Sequence, residues 1–478
     1  MSAPVEKLLR DARIDLILSR IEKDSSVINE VISHLNSEIR SIKFNSIHVL
    51  GLLEERSGKG IPKLIDLLGD DDWSICREAV RSLGKIGSIA KNAIPKLSDL
   101  LSNKEVSIRK EAAIALGKIG NATDQSIPSL IMACNDEDEE VRMEVAKTFG
   151  ELGADAQEAI PQLMKCLKDV NWKVRTASAQ SISLIGRETI TAIPSLISAL
   201  DDNDWRVRYR VINTLSEIGE RAVPHLINKL TSKSAIVRKG AIDALSEMKI
   251  ADPKIINSIS LLLTDNVEAV RGKAADALRN IGKESIPALN KALDNANTKM
   301  KRIIISAIGG IGKDAIQAIP NVINKLNYPN QMVEYSQSFF SSLKRMILTF
   351  FTDPLSGKAS IRLEAARALG KIGIDSKDAA IALEHALNDP KYIVRREAAL
   401  SLGKLGSDST EIIPTLIKTL DDRNPDVRWR ASEALGVIGI NNDSVISGLN
   451  NLVHDVCDYV CESAINAIDK ITEQSVED

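Results

Sequence analysis

Aromatic side chains are scarce: only 3% of the 478 residues are Phe, Trp or Tyr, although 44% are hydrophobic. Any core must therefore be built from Ile, Leu, Val and Ala. Cysteine is equally sparse. Five cysteines, unevenly scattered, make no disulfide framework and fit a reducing compartment. The five histidines are dispersed, without paired metal-ligand spacing. Neither charge dominates, with 62 bases against 65 acids and a net charge of −3, so no global field favours nucleic acid or anionic lipid. The opening MSAPVEKLLRDARIDL mixes acids and bases and does not read as a signal peptide. No run of about 18 residues reads as apolar enough to span a bilayer, and a soluble, cytoplasmic chain is the expectation. Glycine-rich phosphate loops and the G-x-S-x-G nucleophile elbow are missing too.

What is abundant is repetition. Ile-Pro pairs set Pro62, Pro95, Pro128, Pro161 and Pro194 each 33 residues apart. Pro224, Pro287, Pro320 and Pro414 hold the same slot in later repeats. A second ruler lies thirteen residues on, an apolar residue usually followed by Arg. It runs from Ile39 through Ile75, Ile108, Val141 and Val174 to Val460, thirteen marks mostly 33 apart and occasionally 30 or 36. Between Met300 and Ile361 the rhythm breaks, because Val333 fills the expected slot and 28 extra residues follow it.

Each repeat reads as two helices. With the proline counted as slot 1, it sits in the first turn of helix A, where its missing N–H costs nothing. An Asp-rich turn such as Asp201-Asp202-Asn203-Asp204 then supplies the cap of helix B. Helix B places Ile108, Ala112, Leu116 and Ile119 at spacings of 4, 4 and 3, one apolar face. Glycine in slot 26 (Gly87, Gly120, Gly153, Gly186, Gly219) stops it. A pair this short cannot bury its apolar faces alone, so neighbours must stack.

The pattern IPKLSDLLSNKEVSIRKEAAIALGKIG at 94–120 resembles the HEAT-like repeats named after phycobilisome lyases, and the likeness covers roughly residues 26–472. It implies an all-α fold, a right-handed α-α superhelix (HEAT-repeat solenoid) of about thirteen helix pairs. On that frame residues 1–25, with Leu8, Leu9, Ile14, Leu18 and Ile21, form an N-terminal capping helix. Repeats fill 26–328, an amphipathic insertion spans 329–357, and 358–478 hold the remaining repeats and a C-terminal cap. The resemblance says little of function, because such repeats occur in lyase subunits, hydroxylases, adaptors and scaffolds.

In that family slots 12, 13, 16, 17 and 20 of helix B face the concave surface. Here all four tryptophans take such slots: Trp73, Trp172 and Trp205 in slot 12 and Trp429 in slot 16. Tyr209 is in slot 16, Tyr392 in slot 12 and Tyr459 in slot 13. Counting those around the insertion, 13 of 15 aromatics avoid the repeat core. Trp172, Trp205 and Tyr209 lie in consecutive repeats, among Lys173, Arg206, Arg210, Lys239 and Arg302. Aromatic and Arg anchors are the residue types that interfaces favour. These residues, with Trp73, Tyr392 and Trp429, are the candidate partner-binding set.

The repeated Arg of slot 15 (Arg109, Arg142, Arg175, Arg208 and later equivalents) is read as structural, paired with turn acids of slot 9 such as Asp136, Asp169 and Asp202. In the insertion Phe339, Phe340, Leu343, Ile347, Phe350 and Phe351 recur at helical spacing. That helix has three readings: packing on the solenoid, docking a partner, or lying on a membrane surface. His454, Cys457 and Cys461 form one local cluster of metal-ligand type, and no metal or other cofactor is assigned to it.

The leading functional expectation is a non-catalytic scaffold or adaptor that binds a protein or peptide in its groove. The alternatives are a bilin-lyase-like or protein-modification partner subunit, and nucleic-acid binding through the basic middle of the groove. Bases and acids balance over the full set of groove slots, which argues against a duplex ligand.

Overall fold

In a computed structural model, residues 3–120, 126–326, 357–373, 376–405 and 412–477 are described. Among them all regular structure is helical and no strand occurs. The chain divides into two compact bodies, residues 1–248 and 249–478. Among the described residues seven helix pairs lie in the first and six in the second, each a short helix A followed by a longer helix B. The chain is thus an all-α solenoid of stacked pairs.

Local chemistry sets both ends of helix B. Asp72, Asp138 and Asp204 cap their helices by accepting from backbone N–H groups two residues on. The slot-26 glycines end them with φ between 60 and 96° and ψ near −140°, as at Gly87 (φ 77°, ψ −146°). That region is open essentially to glycine alone. It differs from the left-handed helical cap, which among the described slot-26 glycines only Gly439 adopts (φ 73°, ψ 12°). Where the glycine is missing the outcome varies: Glu54 and Lys249 take positive φ (50° and 51°) and their helices still stop, whereas the last one, with Thr472 in slot 26, extends over Asp458–Glu477.

The core follows the expected face. Ile108, Ala112, Leu116 and Ile119 are all buried, as is Phe149. Small residues let the B helices approach closely. A Cβ on Gly403 would lie 2.8 Å from the Ala434 Cα of the next repeat.

Three expectations are corrected. The first repeat runs in a different register, because Ile39 is 42% exposed whereas Ile42 is buried. Ile42 is 33 residues before Ile75, so the ruler holds its period there and the apparent 36 vanishes. Lys43, not Arg40, takes the slot-15 role and meets Asp70 at 3.2 Å. The N-terminal segment is two helices, Val5–Arg10 and Ile14–Lys23, broken where Ala12 adopts φ 53°. It buries Leu8, Leu9, Ile17 and Ile21. Lastly, Thr298–Leu326 does contain an 18-residue window as apolar as a membrane span. Gly312 (φ 76°) divides it into Thr298–Ile311 and Ile319–Leu326, whose Ile304, Ile305, Ile308 and Val322 are buried. Of the insertion only Gly357 is described, as the first residue of helix Gly357–Ile372. Phe339, Phe340, Leu343, Ile347, Phe350 and Phe351 lie outside the described residues.

Candidate functional site

The slot-15 arginines fix how helix B meets the next repeat. Arg142 lays its Nε and Nη2 on the two carboxylate oxygens of Asp169, at 2.8 and 3.0 Å. Its Nη1 donates to the carbonyls of Asp136 and Glu137. The same fork joins Arg109 to Asp136, Arg175 to Asp202, Arg362 to Asp389, Arg395 to Asp422 and Arg428 to Asp455. Burial alone would raise the pKa of Asp169. The hydrogen bonds from Arg142 and the Asn171 backbone N–H, with the charges of Arg142 and Arg175, outweigh it and hold the group below the usual carboxylate range. These arginines are therefore structural, as their regularity suggested. Where Cys76 replaces the arginine, the cysteine thiol donates to the Leu68 carbonyl and Asn103 stands in the facing slot, so charge is lost from both sides together.

On this frame the N-terminal body presents the aromatic surface. Trp205 and Tyr209, one turn apart on helix Trp205–Ile218, are 66% and 59% exposed. Trp172 of the preceding repeat is half-buried, because the Arg206 guanidinium stacks over its ring at 3.5 Å. Asp204 grips the edge of that guanidinium through two hydrogen bonds of 2.9 and 2.6 Å, from Nε and Nη2. The Arg206 bond pulls the Asp204 carboxyl down to about 2. Arg206 thus ties two repeats together as well as decorating their surface. Arg210 carries a buried Nε with no partner. Lys173 is exposed, Lys239 half-buried, and neither forms an ion pair among the described residues. Trp73, 48% exposed with Arg77 at 5.0 Å over its ring, stands apart: Val106 and Glu139 occupy its slot in the two repeats between.

The C-terminal body holds the other candidates. Arg302 and Tyr392 are exposed. Trp429 is half-buried beneath Arg430, 3.8 Å from its ring centre, and meets Tyr459 edge-on at 5.7 Å. The two rings line an open pocket of about 260 Å³ with Glu433, Glu462, Ser463 and Asn466. Those six residues fall in slots that the family resemblance assigned to the groove, while Gly436, Ala467 and Lys470, which complete the lining, do not. A second groove, about 430 Å³, opens between Pro253–Leu261 and Ile286–Asn295, lined by Leu261, Ala292, Met300 and Ile304. It had no signal in the sequence, because helix-A residues there carry only the ordinary apolar pattern. Near the C-terminus the Cys461 thiol donates to the Asp455 carbonyl at 3.1 Å. No group of three or more His, Cys, Asp or Glu suited to a metal is found among the described residues, His454 and Cys457 included.

The family pattern described as HEAT repeats matches residues 28–117, 94–183, 160–246, 223–309 and 354–412, and a further HEAT repeat pattern matches 412–441. The chain belongs to the HEAT-repeat family. No curated protein matches this HEAT-repeat chain. Among solved structures it is similar to an engineered protein, at 20% identity over 93% of this chain and 98% of that one, with a TM-score of 0.25. It is also similar to Kap95p in a structure of its binding to RanGDP (13% identity, 95% and 73% covered, TM-score 0.42). Importin beta matches at 11% identity over 96% and 81%, with a TM-score of 0.41. Likenesses this distant carry no argument about a partner; the fold rests on the family pattern and on the helices themselves.

Proposed function

We propose that this HEAT-repeat protein is a non-catalytic scaffold that docks a protein or peptide segment along the groove slots of its B helices, centred on Trp205. One observation carries the reading. Trp205 and Tyr209 stand out in water beside Arg206 and Arg210, in a chain that otherwise spends almost no aromatics. Leaving large apolar rings exposed forgoes roughly 1.5–3 kcal/mol each of burial. Anchors of this type become favourable when a partner covers them. Partners recovered from native cells on the wild-type chain are to be compared with those on Trp205→Ala/Arg210→Ala. The reading expects a specific loss from the double variant, with the unfolding temperature nearly unchanged. A steep fall in that temperature instead assigns these side chains to packing.

A further inference from the structure

The ladder contains a rung that keeps its cation and lacks its anion. Arg208 stands in slot 15, and its Nη1 is anchored like its counterparts, on the carbonyls of Asp202 (2.7 Å) and Asn203 (3.0 Å). The facing slot 9 holds Ser232 where most rungs hold Asp. The Ser232 Oγ accepts from the Ser234 backbone N–H at 3.2 Å. It thereby keeps one task of the ladder carboxylate and supplies no oxygen to the arginine. The Arg208 Nε and Nη2 consequently have no partner among the described residues, and Arg208 is only partly buried.

Nearby acids do not fill the gap. Asp201 accepts from the Ser234 hydroxyl, Asp202 is held by Arg175, and Asp204 by Arg206. Lys233, beside Ser232, adds another cation without an ion pair. At Cys76 and Asn103 the two charges of a rung are lost together, whereas here only the acid is lost. An arginine retained in its forked pose is pre-organised for a planar, two-oxygen ligand.

We infer that Arg208 is a binding site for a carboxylate, supplied by an Asp or Glu side chain of an acidic protein segment that lies across Trp205 and Tyr209. The choice of carboxylate over phosphate follows from the intact rungs. There the same fork grips two oxygens of one planar group, at 2.7 and 2.8 Å between Arg175 and Asp202. Arg208 and Tyr209 follow Trp205 by three and four residues on the same helix and so flank it on either side, which lets one segment engage all three. That the ligand is a protein segment rests on the docking reading above; the carboxylate site itself rests on Arg208 and Ser232. A second such rung, Arg271 opposite Asn295 in the C-terminal body, has no aromatic on its helix.

The test closes the rung from within. The full chain carrying Asn295→Asp, which removes the second open rung, serves as parent. Fluorescein-labelled octaglutamate is the probe, with octaserine and a single-stranded oligothymidine for comparison, at low ionic strength. Adding Ser232→Asp supplies the missing carboxylate internally. It is expected to raise the melting temperature and to weaken octaglutamate binding about tenfold or more, the worth of a charge-assisted pair. Thr231→Asp, which adds the same charge one residue away, is expected to do neither to that extent. Absent octaglutamate binding by the parent, or equal binding with and without Ser232→Asp, overturns the inference. Oligothymidine binding more tightly than octaglutamate overturns it in favour of phosphate. Trp205→Ala/Tyr209→Ala separates the two claims. Octaglutamate binding that survives this variant yet is lost with Ser232→Asp upholds the carboxylate site while the aromatic docking surface fails. The converse upholds docking and removes the carboxylate site.

Discussion

Asp169→Ala empties one rung of the ladder, and the geometry sets the size of the effect. The carboxylate accepts two bonds from Arg142, at 2.8 and 3.0 Å, and one from the Asn171 backbone N–H at 2.8 Å. The two side chains are only 12% and 11% exposed. Removing one partner of a buried pair strands the other charge, which typically costs about 3–5 kcal/mol. Because about a tenth of each side chain still reaches water, the lower end applies, about 3 kcal/mol. Urea unfolding followed by circular dichroism reads the change as a shift in midpoint, with the slope checked because repeat arrays can lose cooperativity. Arg142→Met combined with Asp169→Ala recovers much of the loss, since both charges are then gone and apolar volume remains. A single-variant loss below about 1 kcal/mol would refute the reasoning and make the ladder an exposed ornament.

Other predictions follow from the same structure. Asp455 is held below the ordinary carboxylate value chiefly by its hydrogen bonds from Arg428, and Asp169 and Asp422 are lowered despite burial by theirs from Arg142 and Arg395. Groups depressed in the folded state contribute stability that is complete above the unfolded pKa of about 3.9 and is lost as pH falls through the native value. Urea midpoints measured across pH should thus hold steady down to about pH 4 and then drop, less steeply in Asp455→Asn; a midpoint that rises on acidification contradicts this. The register of the first repeat is checked by a pair of variants. Ile42→Asp buries a charge and should prevent stable folding of that repeat, whereas Ile39→Asp, at an exposed cap position, should shift the midpoint little. Equal effects would return the ruler to Ile39.

Much of the fold was legible because each repeat states the same solution again. Ile108, Ala112, Leu116 and Ile119 show helical spacing, and Pro95 and Gly120 mark the ends. The first repeat misled because Ile39-Arg40 mimics the apolar-Arg ruler, while the true pair, Ile42-Lys43, substitutes lysine for arginine. Only burial and the Lys43–Asp70 contact separate them. The groove slots came from the family resemblance, and of the aromatics in them Trp205 and Tyr209 are the most exposed. Spacing could not tell that Trp172 is half covered, since that depends on Arg206 being turned by Asp204 onto the ring of another repeat. The open rung has a plain sequence signal, Ser232 in a slot that holds Asp in most repeats. Its meaning required seeing that Arg208 keeps its anchored pose without the acid.

The docking claim is tested most directly by photocrosslinking from the surface itself. Benzoylphenylalanine placed at Tyr209 is compared with the same group at Met132, an exposed position on a helix A of the same body. A discrete crosslinked product is expected from position 209 in native cells, lost when Trp205→Ala/Arg210→Ala is added, and none from position 132. Crosslinking from position 132 with none from 209, or a product at 209 that survives the double substitution, would contradict the docking claim.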